Sequence, residues 1–477
     1  MYSCLRNTKR RGPVISANTL LKRILNVKDT VVKSADFFIS ADGVANLKIL
    51  ARPRIHEDDR CPICGKHCSV YDRATYQRYW RALDFGGVIV HIAAYTQRIN
   101  CAEHGVLVAA VPWAFHDSGF TKSFDLTATW MAENISRSAV AEYLRIDWKT
   151  VGRCITRARK YIEPDPKSRL DGLEKIGIDE TSYRKGHKYI TVVVNHDTNT
   201  VVWASDKHGK AVFSKFLTGL TDEQRSSIKV VTGDGAKWID ECIAQYLPEC
   251  ARCVDSFHVV EWAGEALDSL RKEAWRDAYQ ACRDLKQKVK RKRGRGALTD
   301  KDSIAVHNAE TRASEIKGST YTLGKAPEHL TNKQEVQLAT IATGNKRLYR
   351  GYLLKEQLRL ILHMDNEQDA KEELKHFFWR ATHSRIQEFK DLGYKIRRHE
   401  EHILNTIKLK MSNARIEATN NKIKLIIRRA FGFRDVGNMI DMIMLVCSNI
   451  KVPLPNRPVK EQKTYVSGKL ISIDLGI

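Results

Sequence analysis

The stretch Leu173-Glu-Lys-Ile-Gly-Ile-Asp179-Glu-Thr-Ser-Tyr-Arg-Lys-Gly-His187-Lys-Tyr-Ile-Thr-Val-Val-Val194 decides the fold. It reads as a strand that ends on an acid, a short polar turn and a second strand. Asp179 stands at the edge of the first strand. A strand holds a carboxylate rigidly, and an exposed strand end lets a substrate approach it, so the position suits metal chemistry.

The residues that follow extend the pattern. Strands are predicted at Lys175 to Asp179, His187 to Asn195 and Thr200 to Ala204, an antiparallel meander. A helix over Lys210 to Leu220, a buried strand over Ile228 to Asp234, a helix over Lys237 to Tyr246 and a strand over Ala251 to Asp255 come next. Three antiparallel strands, helix, strand, helix, strand is the order of a ribonuclease H-like fold. Its first and fourth strands lie side by side, which brings Asp179 and Asp234 to neighbouring strand ends. Residues 167–262 form the first part of this core.

Beyond it, residues 263–410 are charged, helical and poor in strand signals. Thr331 to Ala342, Lys346 to His363, Glu367 to Thr382 and Ser384 to Leu392 have amphipathic spacing, so the segment reads as an all-α insertion. Its basic tract from Lys286 to Gly296 is either a solvated segment or a phosphate contact. Residues 411–452 then supply a last helix of the core, capped by Ser412 or Asn413 and stopped by Gly432. Ile416, Ile423, Ile427 and Ala430 make its apolar stripe. Asn413, Glu417, Asn420, Asn421, Lys424 and Arg428 make the opposite face, one acid followed by amides and bases. That arrangement fits a metal ligand at Glu417 with phosphate-binding groups, Lys424 and Arg428, beside it. Residues 453–477 are a tail without an assigned role.

Working toward the N-terminus, Glu163-Pro-Asp-Pro166 ends a helix and separates domains. Residues 119–166 read as a helix-turn-helix: Ser123 to Asn134, Arg137 to Leu144, and Trp148 to Tyr161 capped by Asp147. The third helix is expected to present Lys149, Thr150, Arg153, Arg157 and Arg159 outward, a basic face suited to a major groove and phosphates. Residues 56–118 contain Cys61-Pro-Ile-Cys64-Gly65 and Cys101-Ala-Glu-His104-Gly105, separated by strand-like segments at Thr75 to Leu83 and Val88 to Ile99. Two such knuckles describe a zinc ribbon with Cys61, Cys64, Cys101 and His104 as a closed structural site. Cys68 or His67 is an alternative ligand. Residues 1–55 read as a small strand-rich segment.

Composition narrows the partners. The 477 residues carry 80 Lys and Arg against 56 Asp and Glu, a net charge of +24. Such an excess points to a polyanion, nucleic acid above all, rather than to a membrane surface. No apolar run approaches the roughly 18 residues of a membrane span, and no signal core follows the basic N-terminus. The eleven cysteines are scattered, which fits reduced thiols and a metal site better than a disulfide framework. An intracellular protein is expected.

Taken together, the fold class is multidomain α+β: zinc ribbon, helix-turn-helix, and a ribonuclease H-like mixed-sheet domain interrupted by an all-α insertion. The chain resembles bacterial insertion-sequence transposases of the DDE type with an N-terminal zinc ribbon, the ISL group. The resemblance rests on Cys61-Pro-Ile-Cys-Gly65, on Ile176-Gly-Ile-Asp-Glu180 with Lys185-Gly-His187, and on Val254-Asp-Ser-Phe-His-Val259. It rests further on Tyr352-Leu-Leu-Lys-Glu356, Ser412-Asn413 through Glu417 to Lys422-Ile-Lys424, and Phe431-Gly-Phe-Arg434. It implies that Asp179, Asp234 and Glu417 form a catalytic triad holding two Mg²⁺ or Mn²⁺ ions. It also implies that the ribbon and helix-turn-helix bind the element's terminal inverted repeats, and that the protein works as a homo-oligomer on DNA in the bacterial cytoplasm, with the nucleoid. Asp255 and His258 match a motif near the second acid and are secondary active-site candidates. Alanines stand at 414 and 418 where the group has glycine, Gly235 replaces a common methionine, and the second knuckle ends in His104. Another nuclease of the same fold, or a DNA-binding regulator derived from a transposase, are the rival readings.

Overall fold

The computed structural model describes residues 16–293, 296, 299–411, 414–430, 432–433, 435–448, 450–457, 462–466 and 469–473. They form two compact units, one from the chain up to Pro166 together with Ile423 onward, the other from Lys167 to Lys422. Expectations for the basic N-terminus, the caps Ser412 and Asn413, and Phe431 and Arg434 fall outside the described residues, as does part of the tract ending at Gly296.

In the first unit α1 (Ala17–Leu25) precedes β1 (Thr30–Ile39), β2 (Ala45–Pro53), β3 (Ser69–Arg73), β4 (Arg78–Arg81), β5 (Ile89–Ala94), β6 (Gln97–Cys101) and β7 (Gly105–Val108). Two sheets result, β1-β2-β5-β4 and β3-β6-β7. The single strand predicted over Val88 to Ile99 is therefore two strands in two sheets, divided at Tyr95-Thr96. The boundary expected at residue 55 runs through one sheet, because β2 pairs with β5 in parallel. The reason is packing: Ile49, Val90 and Ile92 share a core with Trp80 and Trp113, whose rings meet edge-on at 5.5 Å.

The three predicted helices follow: α2 (Lys122–Asn134), α3 (Arg137–Leu144) and α4 (Trp148–Ile162). Their starts are set by side-chain caps, Thr121 accepting from the Phe124 amide, Ser136 from Ala139 and Asp147 from Lys149. Arg145, left-handed at φ 54°, makes the turn between α3 and α4. Val151, Cys154, Ile155 and Ala158 bury one face of α4. Two cations expected on its exposed face are turned inward instead. Arg157 donates to the fully buried Asp125 through Nε at 2.9 Å and Nη2 at 2.7 Å, and Arg159 is paired with Asp441. Asp125 lies inside α2 with no water to solvate it, so it recruits the nearest guanidinium. Lys149 and Arg153 remain exposed, and Thr150 is half-buried.

The second unit is built on β8 (Lys175–Arg184), β9 (Lys188–Asn195), β10 (Thr200–Asp206), α5 (Lys210–Thr218), α6 (Asp222–Ser227), β11 (Val230–Gly233), α7 (Lys237–Tyr246) and β12 (Ala251–Val254). The sheet order is β10-β9-β8-β11-β12, with β8 and β11 parallel neighbours as the element order predicts. Helix α6, unforeseen, is a six-residue piece fixed by a Thr221–Gln224 capping box. Ile176, Ile178, Phe213, Val231 and Ile239 fill the core beneath the sheet.

Among the described residues the regular elements of the insertion are helices: α8 (Ser256–Arg293), α9 (Asp300–Gly318), α10 (Thr320–Gly324), α11 (Asn332–Gly344), α12 (Lys346–Ile361), α13 (Glu367–Thr382), α14 (Gln387–Arg398) and α15 (Glu400–Lys408). The tract from Lys286 to Arg293 forms the C-terminal end of the 38-residue α8, and its Lys286 pairs with Glu310 of α9. Tyr352 and Leu358 of α12, Phe377 of α13 and Phe389 of α14 share one core with Val259 and Leu267 of α8. The Tyr352–Glu356 motif has a structural job here: the buried Lys355 ammonium donates to the Leu323 carbonyl at 2.8 Å and pairs with Glu356.

The chain ends with α16 (Ala414–Arg429), α17 (Val436–Cys447), β13 (Gln462–Val466) and β14 (Lys469–Ile473). The sequence assigned 411–452 as a whole to the catalytic core. In the structure the unit boundary falls inside α16, and α17 packs on α4, with Asp441 accepting from Thr156 at 2.7 Å. The terminal hairpin was not foreseen.

The Asp125–Arg157 pair yields a stability test. Asp125→Ala strands a largely buried guanidinium and is expected to destabilise the first unit by about 3–5 kcal/mol. Urea unfolding followed by tryptophan fluorescence measures it; a loss below about 1 kcal/mol, the range of exposed pairs, would contradict the clamp.

Candidate active site

The parallel register of β8 with β11 pairs Val230 with Lys175, Val231 with Ile176 and Thr232 with Gly177. Just past the end of β11, the chain carries Asp234 to the side of β8 that holds Asp179, close enough for the charge of Asp234 to act on it. Register between β11 and β12 sets Asp255 one strand further along. Asp234 and Asp255 therefore follow the ends of β11 and β12, whereas Asp179 lies inside β8: the strand does not end on the acid as the sequence predicts but continues to Arg184, because its pairing with β9 continues past Asp179.

Their environments differ. Asp179 is half-buried; its Oδ1 accepts from the Glu180 amide at 2.7 Å and its Oδ2 from the Asn420 amide nitrogen. Burial pushes its carboxyl above the ordinary value, the two hydrogen bonds oppose this, and the nearby Asp234 adds to the rise. Asp234 is exposed and caps the turn by accepting from the Ala236 amide at 3.0 Å. Asp255 caps α8 through the Phe257 amide at 2.9 Å. His258, one position further on, donates toward Glu261 at 3.0 Å. Burial alone would lower its basicity, but Glu261, Asp255, Asp234 and Asp179 together raise it. It thus sits in the field of Asp179, Asp234 and Asp255.

Helix α16 reaches this edge through two contacts. Gly177 has no side chain, and a Cβ there would stand 2.1 Å from Cδ1 of Ile416. Asn420 is buried, bonded to Asp179 on one side and to the Thr181 hydroxyl at 2.9 Å on the other. The amphipathic pattern had placed Asn420 on the open face with Glu417. It is buried because Asp179 and Thr181 need a partner that donates and accepts at once, which a carboxamide does. Glu417 is exposed and lies three residues before Asn420, on the same side of the helix one turn away.

Two further residues brace the site and had no sequence signal beyond their types. Arg252, buried within β12, donates to the carbonyls of Gly233, Cys253 and Asp234 and to Asp240 at 3.0 Å, fixing the peptide that carries Asp234. Its hint was a lone arginine in an apolar strand. Glu180 accepts from the Gly209 amide at 2.8 Å; burial raises its carboxyl, and Asp234 and Asp179 add to the rise.

In the first unit, Cys61, Cys64, Cys101 and His104 converge. Sγ of Cys64 lies 3.8 Å from that of Cys101, and Nδ1 of His104 lies 3.7 and 3.5 Å from the sulfurs of Cys61 and Cys101. A tetrahedral zinc with bonds of about 2.3 Å to sulfur and 2.0 Å to nitrogen has edges of about 3.5–3.8 Å. Gly65 and Gly105, both at positive φ, turn the two knuckles. The His104 ring pulls the Cys101 thiol down to about 6, toward the thiolate a metal needs. Cys68 and His67 stand outside the cluster. Burial pushes the Cys68 thiol up to about 11, and His67 is engaged by Asp59 at 2.6 Å.

Three family models match this chain: a transposase domain of the ISL3 group over residues 176–443, the helix-turn-helix domain of transposase family ISL3 over 109–159, and the zinc-finger of transposase IS204/IS1001/IS1096/IS1165 over 57–104. The chain belongs to the ISL3 transposase family. Among curated relatives, the transposase for insertion sequence element IS1557 of Mycobacterium tuberculosis is 40% identical over 444 residues, covering 92% of this chain and 97% of its own. The transposase for IS1001 of Bordetella parapertussis is 23% identical over 381 residues, covering 79% and 85%.

As an ISL3 transposase the protein is a DNA-binding enzyme of DNA cleavage and strand transfer, with a ribonuclease H-like core and divalent-metal chemistry. Gly235 cannot grow without moving Trp262, since a Cβ there would sit 2.4 Å from that ring. Ala418 is exposed. Among the described residues no helix is long and apolar enough to cross a membrane.

The raised carboxyl of Asp179 has a defined sign. Its folded value lies above the unfolded 3.8, so its contribution to stability is present at low pH and is lost as pH rises through the folded value. In metal-free buffer, Asp179→Ala is expected to gain on wild type between pH 4 and pH 7 in urea-midpoint measurements. A mutant-minus-wild-type difference that stays flat or falls from pH 4 to pH 7 would contradict the desolvated carboxylate.

Proposed function

We propose that Asp179, Asp234 and Glu417 are the catalytic acids of this ISL3 transposase, holding two Mg²⁺ or Mn²⁺ ions. One observation carries the reading: Asn420, bonded to Asp179, seats α16 on the sheet edge with Glu417 one turn away. The donor set fits the ions, because carboxylate oxygens at a half-buried strand edge are what hard divalent cations select. When bound, such a pair of ions activates the attacking oxygen and stabilises the departing one in an in-line displacement.

The chain's own residues do the rest. Asn420 orients Asp179, Arg252 anchors the Asp234 peptide, and His258 stands beside the acids, which raise its basicity against the effect of burial. Asp255 is a helix cap that orients His258. Lys149, Thr150 and Arg153 on α4, with Lys424 and Arg428 on α16, track phosphates; Arg157 leaves that set. Cys61, Cys64, Cys101 and His104 hold a structural zinc that shapes the ribbon for DNA. The enzyme binds the terminal inverted repeats of its insertion sequence, hydrolyses a phosphodiester at each end, and uses the freed 3′-hydroxyl to attack target DNA. Pairing two ends calls for a homo-oligomer on DNA, working in the cytoplasm at the nucleoid.

The test is strand transfer on oligonucleotides carrying the repeats, with Mg²⁺ or Mn²⁺. Asp179→Ala, Asp234→Ala and Glu417→Ala are each expected to retain end binding in a mobility-shift assay and to lose joining to background. Joining at the wild-type rate in any one of them removes that residue from the triad.

A further inference from the structure

A second group of metal-ligand type lies in the second unit, away from the ribbon. Asp240 of α7, His399 at the corner between α14 and α15, and His402 of α15 bring one ligand atom each to within 4.8 Å of one another. The Nδ1 atoms of His399 and His402 are 3.4 Å apart, and Nδ1 of His402 lies 3.9 Å from Oδ1 of Asp240. Two zinc-bound nitrogens at about 2.0–2.1 Å from the ion stand about 3.3–3.4 Å apart in a tetrahedral site. We propose that Asp240, His399 and His402 bind one zinc-class divalent cation that ties the helical insertion to the catalytic core behind Asp234.

The surroundings are built rather than incidental. His399 is 4% exposed, with the Trp262 ring tilted against it at 5.5 Å, so its rotamer is held by packing. Its Nε2 lies 3.5 Å from the point where a Cβ on Gly235 would stand, next to Asp234 in the chain. Helix α15 is anchored on β12, Thr406 donating to the Val254 carbonyl at 2.8 Å and Asn405 to that of Arg252 at 3.2 Å. The His-x-x-His spacing at the start of α15 therefore reaches α7 in one fixed geometry. Burial lowers the basicity of both imidazoles, with Arg252 adding to this and the Asp240 carboxylate opposing it.

Charge and donor type select the ion. Two imidazoles and one carboxylate suit a borderline first-row cation; Mg²⁺ prefers oxygen alone. Arg252 donates to Oδ1 of Asp240 at 3.0 Å, which makes the carboxylate a bridge between guanidinium and metal and orients it as outer partners of ligands do. The same Arg252 holds the carbonyl of Asp234. A cation here would thus stiffen a path of three bonds ending at a strand-end acid. The competing arrangement is two neutral imidazoles sharing one proton.

Zinc per chain decides between them. Full-length protein is loaded with Zn²⁺, dialysed into zinc-free buffer with excess Mg²⁺, and assayed by elemental analysis. Wild type is expected to hold about one more equivalent than His402→Gln, and Cys64→Ser, acting on the ribbon, is expected to lose a different equivalent. Equal zinc in wild type and His402→Gln overturns the proposal. Should His402→Gln fail to fold, Co²⁺-loaded Cys64→Ser gives the answer. A visible ligand-field band without sulfur charge transfer is expected, and its absence overturns the proposal as well.

Discussion

The site depends on one close approach, Ile416 of α16 lying over the bare backbone of Gly177 on β8. Any side chain at 177 would meet Ile416, His196 and Thr232 below ordinary contact distance. With glycine there, the helix settles far enough onto the sheet for Asn420 to reach Asp179 and Thr181. A residue more than two hundred positions from Asp179 is placed beside it by the absence of a side chain. The contact is apolar and the seal is polar, so position comes from packing and orientation from the amide.

The same division recurs wherever the protein buries charge. Arg252 has four acceptors around its guanidinium, three of them main-chain carbonyls, and so costs little to bury while fixing the Asp234 peptide. Asp125 takes Arg157 and the Ser118 hydroxyl, which removes one cation from the outer face of α4 but locks that helix on α2. In both cases a charged residue serves register rather than a ligand. Lys355 and Glu356 in α12 do likewise for the insertion.

Periodicity made the helices and strands legible, down to the limits of α3, α7 and α13, because each carries a cap or a sharp change of pattern. Strand order made the Asp179–Asp234 pairing legible, since a parallel neighbour fixes which ends align. The knuckle spacing made the four-residue cluster legible. What escaped were long-range choices among equivalent residues. Arg157 and Arg153 differ in the sequence only by four positions, and Asp125 alone decides which is free. Asn420 looked like a surface amide until Asp179 claimed it. His399 and His402 depend on α15 docking against β12 and reaching Asp240 of α7, and Arg252 on the turn that follows β11, which no local pattern reveals.

The proposed triad requires α16 to bring Glu417 to the same metal as Asp179 and Asp234. Iron-mediated affinity cleavage measures this directly: Fe²⁺ in place of Mg²⁺, with ascorbate and peroxide, cuts the backbone beside the ion. Cuts near residues 179, 234 and 417, all suppressed by excess Mg²⁺, are the expected result. Cuts confined to the chain near 179 and 234, with the chain around 417 intact, would contradict it.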